Sequence, residues 1–185
     1  MKQEWLDKAY LEFAENGPQN ISINKIAKEM GASRSSFYHH FSELDILIEE
    51  LLSMHYKISQ EFIRQGKERC NRLIPDLYSL LAEYPIPLKF SRQLFHHKHI
   101  PNCNFLFIKT YEESANGFIL DLFAEHMNLN PGNKKVLNLY QTLGESWYSR
   151  LDPDDLSAES MQKHAEDIMK DLSVFITSDL YSALG

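Results

Sequence analysis

Residues 33 to 41 read Ser-Arg-Ser-Ser-Phe-Tyr-His-His-Phe, a short stretch with an unusual density of hydrogen-bonding groups between two phenylalanines. Ser33, Ser35 and Ser36 bring hydroxyls, Arg34 a fork of guanidinium donors, Tyr38 a phenol, and His39 and His40 imidazoles that donate or accept near neutral pH. On a helix turning about 100° per residue, Phe37 and Phe41 fall about 40° apart and mark one buried side. Ser35, Tyr38 and His39 then point substantially away from it. Small serines in a first helical turn let backbone N–H groups approach a phosphate, and Tyr38, His39 and His40 add donors for phosphate oxygens or base edges. The chemistry these residues suit is recognition of a polyanion.

A second concentration of ligand-type side chains runs from Phe95 to Cys103 and holds His96, His97, His99 and Cys103. Imidazole and thiolate suit zinc, copper or nickel. The spacing argues instead for a solvated helix end or loop before Pro101, because no matching Cys or His pair completes a four-ligand set and histidine is favoured near helix C-termini. No metal or other cofactor is expected. No nucleophile-base motif, glycine-rich phosphate loop or paired carboxylates in a specific context are present, so catalysis is not expected either.

Charge limits how a polyanion can be held. The chain carries 26 Asp and Glu against 19 Lys and Arg, a net charge of −7 over 185 residues, so nucleic-acid binding has to be local. Cys70 and Cys103 are too few and too far apart for a disulfide framework. The N-terminal residues are charged and amphipathic, and no long apolar run follows, which predicts a soluble cytoplasmic protein with no membrane partner.

Apolar residues recur at helical spacing nearly throughout, predicting an all-α chain. Trp5, Leu6, Ala9, Tyr10, Phe13 and Ala14 line one face of a first helix that stops at Gly17-Pro18. Ser22 is placed to cap a second helix with Ile23, Ile26, Ala27 and Met30 inside, and Gly31 to stop it. Only Ala32 and Ser33 separate that helix from the next. Two short helices joined through a glycine are the sequence form of a helix-turn-helix, whose second helix can enter a major groove.

Residues Trp5 to Leu52 resemble the DNA-binding domain of the tetracycline-repressor-like (TetR) family of bacterial transcription regulators. The resemblance is carried by Phe13-Ala14-Glu15-Asn16-Gly17, by Ser22 to Ser33 with its Ile26-Ala27 pair and Gly31-Ala32-Ser33, and by Phe37-Tyr38-His39-His40-Phe41. It implies an N-terminal helix-turn-helix head, residues 1–46, and a helical effector-binding and dimerisation body, residues 47–185. In that family, residues matching Ser33 to Ser36 touch bases or phosphates, and those matching Tyr38 and His40 mainly bind backbone phosphates. Lys25, Lys28 and Arg34 supply most of the positive charge of the interface, to which His39 is added. Leu44 stands where the family usually has a phosphate-gripping lysine. Residues 1 to 50 hold five Lys and Arg against nine Asp and Glu, which predicts weak nonspecific binding and a shallow salt dependence.

The remaining chain is less specific. A long helix from about Leu44 through Leu51, His55 and Phe62 is either the family's lever between head and body or an ordinary packing helix. Residues 72 to 127 are rich in aromatics and punctuated by Pro75, Pro85, Pro87 and Pro101. The resemblance implies a small-molecule effector cavity here; Phe90, Phe107, Tyr111 and Phe118 are its candidate walls, with core packing the competing role for each. Met161, Ala165, Ile168, Leu172 and Phe175 draw one apolar seam on a last helix, extended by Met169, Ile176 and Leu180. The seam serves either an intrachain core or, as the resemblance implies, a homodimer made by the two C-terminal helices. The functional expectation is a homodimeric, effector-modulated repressor bound to a double-stranded operator. The alternative is a helical small-molecule or metal sensor that has lost DNA binding.

Overall fold

A computed structural model describes residues 1–173, and all its regular structure is helical. The elements are α1 (Lys2–Asn16), α2 (Ile23–Met30), α3 (Arg34–His40), α4 (Leu44–Arg69), α5 (Tyr78–Leu81), α6 (Pro85–His96), α7 (Pro101–Ser114), α8 (Leu120–His126), α9 (Lys134–Arg150) and α10 (Ala158–Ser173). Of the apolar seam, the Leu172 side chain and residues Phe175, Ile176 and Leu180 lie outside what is described.

Local signals set the ends of the head helices. The Ser22 hydroxyl accepts from the Lys25 N–H at 3.3 Å and satisfies one of the orphan donors that open α2. Gly31 ends that helix at φ 63°, a left-handed conformation that a Cβ would penalise. Ser33 then repeats the capping device, its hydroxyl accepting from Ser36 N–H at 3.2 Å. Helices break at Pro85 and Pro101 as expected, and each of these prolines opens the helix that follows, where a missing N–H costs nothing.

The chain divides into two compact units, Met1–Gln60 with Ile86–Lys109, and Glu61–Pro85 with Thr110 onward. In the first, Trp5, Phe13, Ile26, Phe37, Phe41, Leu47 and Leu51 are almost wholly buried. Trp5 meets Phe37 edge-on at 5.4 Å, and Phe37 stacks with Phe41 at 5.3 Å. Phe90 of α6 lies against Phe13 at 3.8 Å, His55 at 4.4 Å and Tyr10 at 4.6 Å. Such ring pairs add about 0.5–1.5 kcal/mol each beyond the area they bury.

One polar thread runs through this apolar pile. Tyr10 Oη lies 2.8 Å from His55 Nδ1, and His55 Nε2 lies 3.1 Å from Ser91 Oγ. Burial holds the His55 pKa down to about 3 and pushes the Tyr10 phenol up, so both stay neutral at physiological pH. A neutral imidazole donates from one nitrogen and accepts at the other, so the two bonds satisfy the ring completely. Gln93 adds a further tie, its amide donating to the carbonyl of Glu15 at 3.1 Å near the end of α1, while Lys89 pairs with the Glu15 carboxylate at 2.7 Å.

In the second unit, α10 packs against α5 and α9. Met161, Ala165 and Ile168 are buried there within a single chain, and Trp147 Nε1 donates to the Met161 carbonyl at 3.3 Å. The described part of the seam is thus core. Between α7 and α8, residues Ala115–Ile119 form a π-type segment that carries Phe118. The Phe118 ring lies over Gly66, where a Cβ would sit 2.2 Å from its Cζ. Only glycine permits that approach.

Candidate nucleic-acid interface

Two aromatic side chains fix α3 from behind. Phe37 and Phe41 are 0% and 1% exposed, so the opposite face of the helix has to look outward. On that face Ser33, Arg34, Ser35, Tyr38 and His39 are exposed, with Ser36 and His40 half-buried at its margin. The division of the helix into a packed side and a presented side follows the sequence pattern residue by residue.

The presented side chains are organised among themselves. Arg34 donates from its guanidinium to Tyr38 Oη at 3.1 Å and lies 5.6 Å from the Tyr38 ring centre, one helical turn along. The hydroxyls of Ser33 and Ser35 are 2.8 Å apart, and Ser36 Oγ donates to Met1 Sδ at 3.2 Å. The His39 and His40 rings meet edge-on at 5.3 Å.

The lysines of the head are not equivalent. Lys25 is hydrogen-bonded to the Glu12 carboxylate, which raises its pKa and offsets the charge it could offer a phosphate. Lys2 pairs with Glu50 at 2.8 Å and Lys8 with Glu29 at 3.9 Å. Among the described residues, Lys28 and Arg34 make no ion pair and are exposed. The pairing of Lys25 joins residues 13 positions apart and had no local signature in the sequence. Leu44, half-buried, is the first residue of α4.

The aromatics considered for an effector fall in different units. Phe90 is fully buried in the stack with Phe13, Tyr10 and His55, and Phe107 lies 5.5 Å from Phe95 and 5.1 Å from the Lys98 ammonium, all in the first unit. Tyr111 and Phe118 belong to the second. Tyr111 donates to the Tyr140 carbonyl at 3.1 Å and stacks on the Tyr140 ring at 5.2 Å, and burial pushes both phenols well above their ordinary range. Phe118 lies 5.8 Å from Phe62.

The histidines near the end of α6 do not converge. His97 Nδ1 is 2.8 Å from the Gln93 carbonyl, the His97 and His99 rings are 5.8 Å apart, and Cys103 is buried. Among the described residues no group of three or more His, Cys, Asp or Glu side chains is arranged to hold a metal. The sequence reading placed His55 on the α4 stripe but gave it no partner, and it did not single out Ser91. A histidine among Leu51, Leu52 and Ile58 on the apolar face of α4 was the available signal.

A capped, two-helix unit with a short second helix exposing Arg34, Tyr38 and His39 is a helix-turn-helix head. Residues 6–51 match the family described as bacterial regulatory proteins, tetR family. The match covers the head, about a quarter of the chain.

Other relatives agree in fold. The biofilm operon icaADBC HTH-type negative transcriptional regulator IcaR of Staphylococcus aureus is 26% identical over 84 residues, 45% of each chain. The chain therefore spans under half the length of the curated relatives it matches. A transcriptional regulator from Saccharomonospora viridis in complex with choline superposes with a TM-score of 0.61 at 18% identity, over 91% of this chain and 95% of that one. The ketosteroid transcriptional regulator KstR2 of Mycobacterium tuberculosis superposes with a TM-score of 0.60 at 15% identity, over 92% and 93%. At those identities the likeness is one of fold. Among the described residues no helix is long and apolar enough to cross a membrane.

Proposed function

We propose that this protein is a DNA-binding transcription regulator that acts as a repressor, and that α3 enters the major groove of a double-stranded operator. The observation that carries the reading is the outer face of α3, where Arg34, Ser35, Tyr38 and His39 are presented by a helix locked from behind by Phe37 and Phe41. The tetR-family match over residues 6–51 supports it, and the negative regulator IcaR supports repression over activation. Ser33, Ser36 and His40 flank the contact face, and Lys28 with Lys25 supplies phosphate contacts, Lys28 the more effectively because Lys25 already faces Glu12.

Two heads on a homodimer would read two half-sites about one helical turn apart. With Met161, Ala165 and Ile168 consumed inside the protomer, a dimer through α9 and α10 uses the flanking faces of those helices. Sedimentation equilibrium checks this, and a monomer at micromolar concentration rejects it. An effector in the body would act by favouring one of two conformations. The choline complex of a fold relative supports a small-molecule ligand, with Tyr111 and Phe118 as the candidates of the second unit and Phe107 of the first; Phe90 has its ring faces occupied by neighbouring side chains.

The acidic head, with Lys2, Lys8 and Lys25 already paired, favours the second reading, a sensor without DNA binding. Selection of random duplex DNA by the full-length protein at two salt concentrations separates the two. Enrichment of a palindrome supports the regulator, and a folded protein that enriches nothing at either salt supports the sensor.

A further inference from the structure

Arg34 differs from three of the four lysines of the head. Lys2, Lys8 and Lys25 face carboxylates, whereas the Arg34 guanidinium is held by a neutral phenol one turn along its own helix. We infer that Arg34 reads a guanine in each half-site of the operator, through the guanidinium donors that Tyr38 leaves open. The inference rests on the DNA-binding reading above and names the base that reading leaves unspecified.

The geometry favours a base over a phosphate. Arg34 is the first residue of α3, flanked by Ser33 and Ser35, whose short side chains are bonded to each other. Neither neighbour's side chain is long enough to cover the guanidinium, and the Tyr38 hydroxyl at 3.1 Å with its ring at 5.6 Å limits the directions it samples. An arginine with a restricted fork loses less freedom on docking than a lysine on a mobile stem. One N–H group goes to Tyr38 Oη at 3.1 Å, and four donors remain.

The major-groove edge of guanine sets two acceptors, N7 and O6, side by side; adenine sets a donor next to its acceptor, cytosine offers a donor, and thymine one acceptor beside a methyl. A two-pronged donor fits the first best. Tyr38, having accepted from Arg34, keeps its own hydroxyl proton for a phosphate oxygen, so the pair divides base reading from backbone grip. In a head whose lysines are largely spoken for, a contact of this kind carries a greater share of the affinity.

The test uses the full-length protein and three variants, Arg34→Ala, Arg34→Lys and Tyr38→Phe, each checked by circular dichroism melting. Wild-type protein is expected to select a palindrome with one guanine per half-site at which the other bases weaken binding by roughly 5- to 150-fold. Replacing that guanine by 7-deazaguanine, which removes N7, should weaken wild type and leave Arg34→Ala unaffected. Arg34→Lys should keep binding and lose most of the discrimination, and Tyr38→Phe should lose part of it. A selected palindrome at which Arg34→Ala lowers affinity equally for all four bases overturns the inference and makes Arg34 a phosphate contact, leaving the regulator reading intact. Selection of no sequence by folded wild-type protein overturns both.

Discussion

Tyr10 and Tyr38 belong to the same head and each engages a basic side chain, yet they do opposite work. Tyr10, 5% exposed, meets His55 under the Phe90 ring, where burial has stripped the imidazole of its charge. Tyr38, 46% exposed, meets Arg34, which lies in solvent and has donors to spare. In the first, Tyr10 and Ser91 take both imidazole nitrogens, and the thread ties α1, α4 and α6 together. The second is incomplete by itself. Solvent access, rather than residue type, separates a hydrogen bond between spent groups from one whose partners keep donors to offer.

The sharpest way to break this comparison is to remove the ring that backs Tyr38, 5.1 Å away. Phe37→Ala should destabilise the protein by about 3–5 kcal/mol in chemical denaturation, since a fully buried ring leaves a cavity; an unchanged midpoint would mean that α3 is not anchored by it. Next in size is acid. His55 has a folded pKa near 3 against about 6.5 when unfolded, so the unfolded chain binds the extra proton as pH falls between those values. Stability is full above about pH 6.5 and should decline below it, by up to about 1.4 kcal/mol per pH unit from this group. His55→Gln should flatten that part of the profile, and an equally steep decline in the variant would assign it to other groups.

Smaller effects distinguish the tyrosines themselves. Tyr10→Phe should cost about 1–3 kcal/mol by leaving a buried imidazole nitrogen unpaired, while Tyr38→Phe should leave the melting temperature in place and weaken operator binding. Equal thermal effects from the two would erase the distinction. At the low end, Lys28→Ala should reduce the slope of log K against log salt by about 1, and Lys25→Ala by less because of Glu12; titration at four salt concentrations compares them.

Much of this was legible because it is local. Ser22, Gly31 and Ser33 act on backbone groups within four positions, and the Phe37, Phe41 spacing is a one-turn repeat, so short-range chemistry alone dictates α2, the turn and α3 with its presented face. The helical class followed from periodicity in the same way. Pro85 and Pro101 were harder, because proline stops a helix or starts one according to what precedes it. The Met161, Ala165 and Ile168 seam announced burial, and only packing showed that the partner was the protomer's own α5 and α9.

What the sequence determined, then, was an all-helical chain with a capped helix-turn-helix and a polar face on its second helix, since those depend on hydrogen bonds and side-chain directions within a turn or two. The tertiary structure alone decided which charges remain available and which polar groups are spent. Glu12 reaches Lys25 across 13 positions, Ser91 reaches His55 across 36, and Phe90 reaches Phe13 from another helix altogether. Such pairings are settled by how helices pack, and no period in the sequence records them.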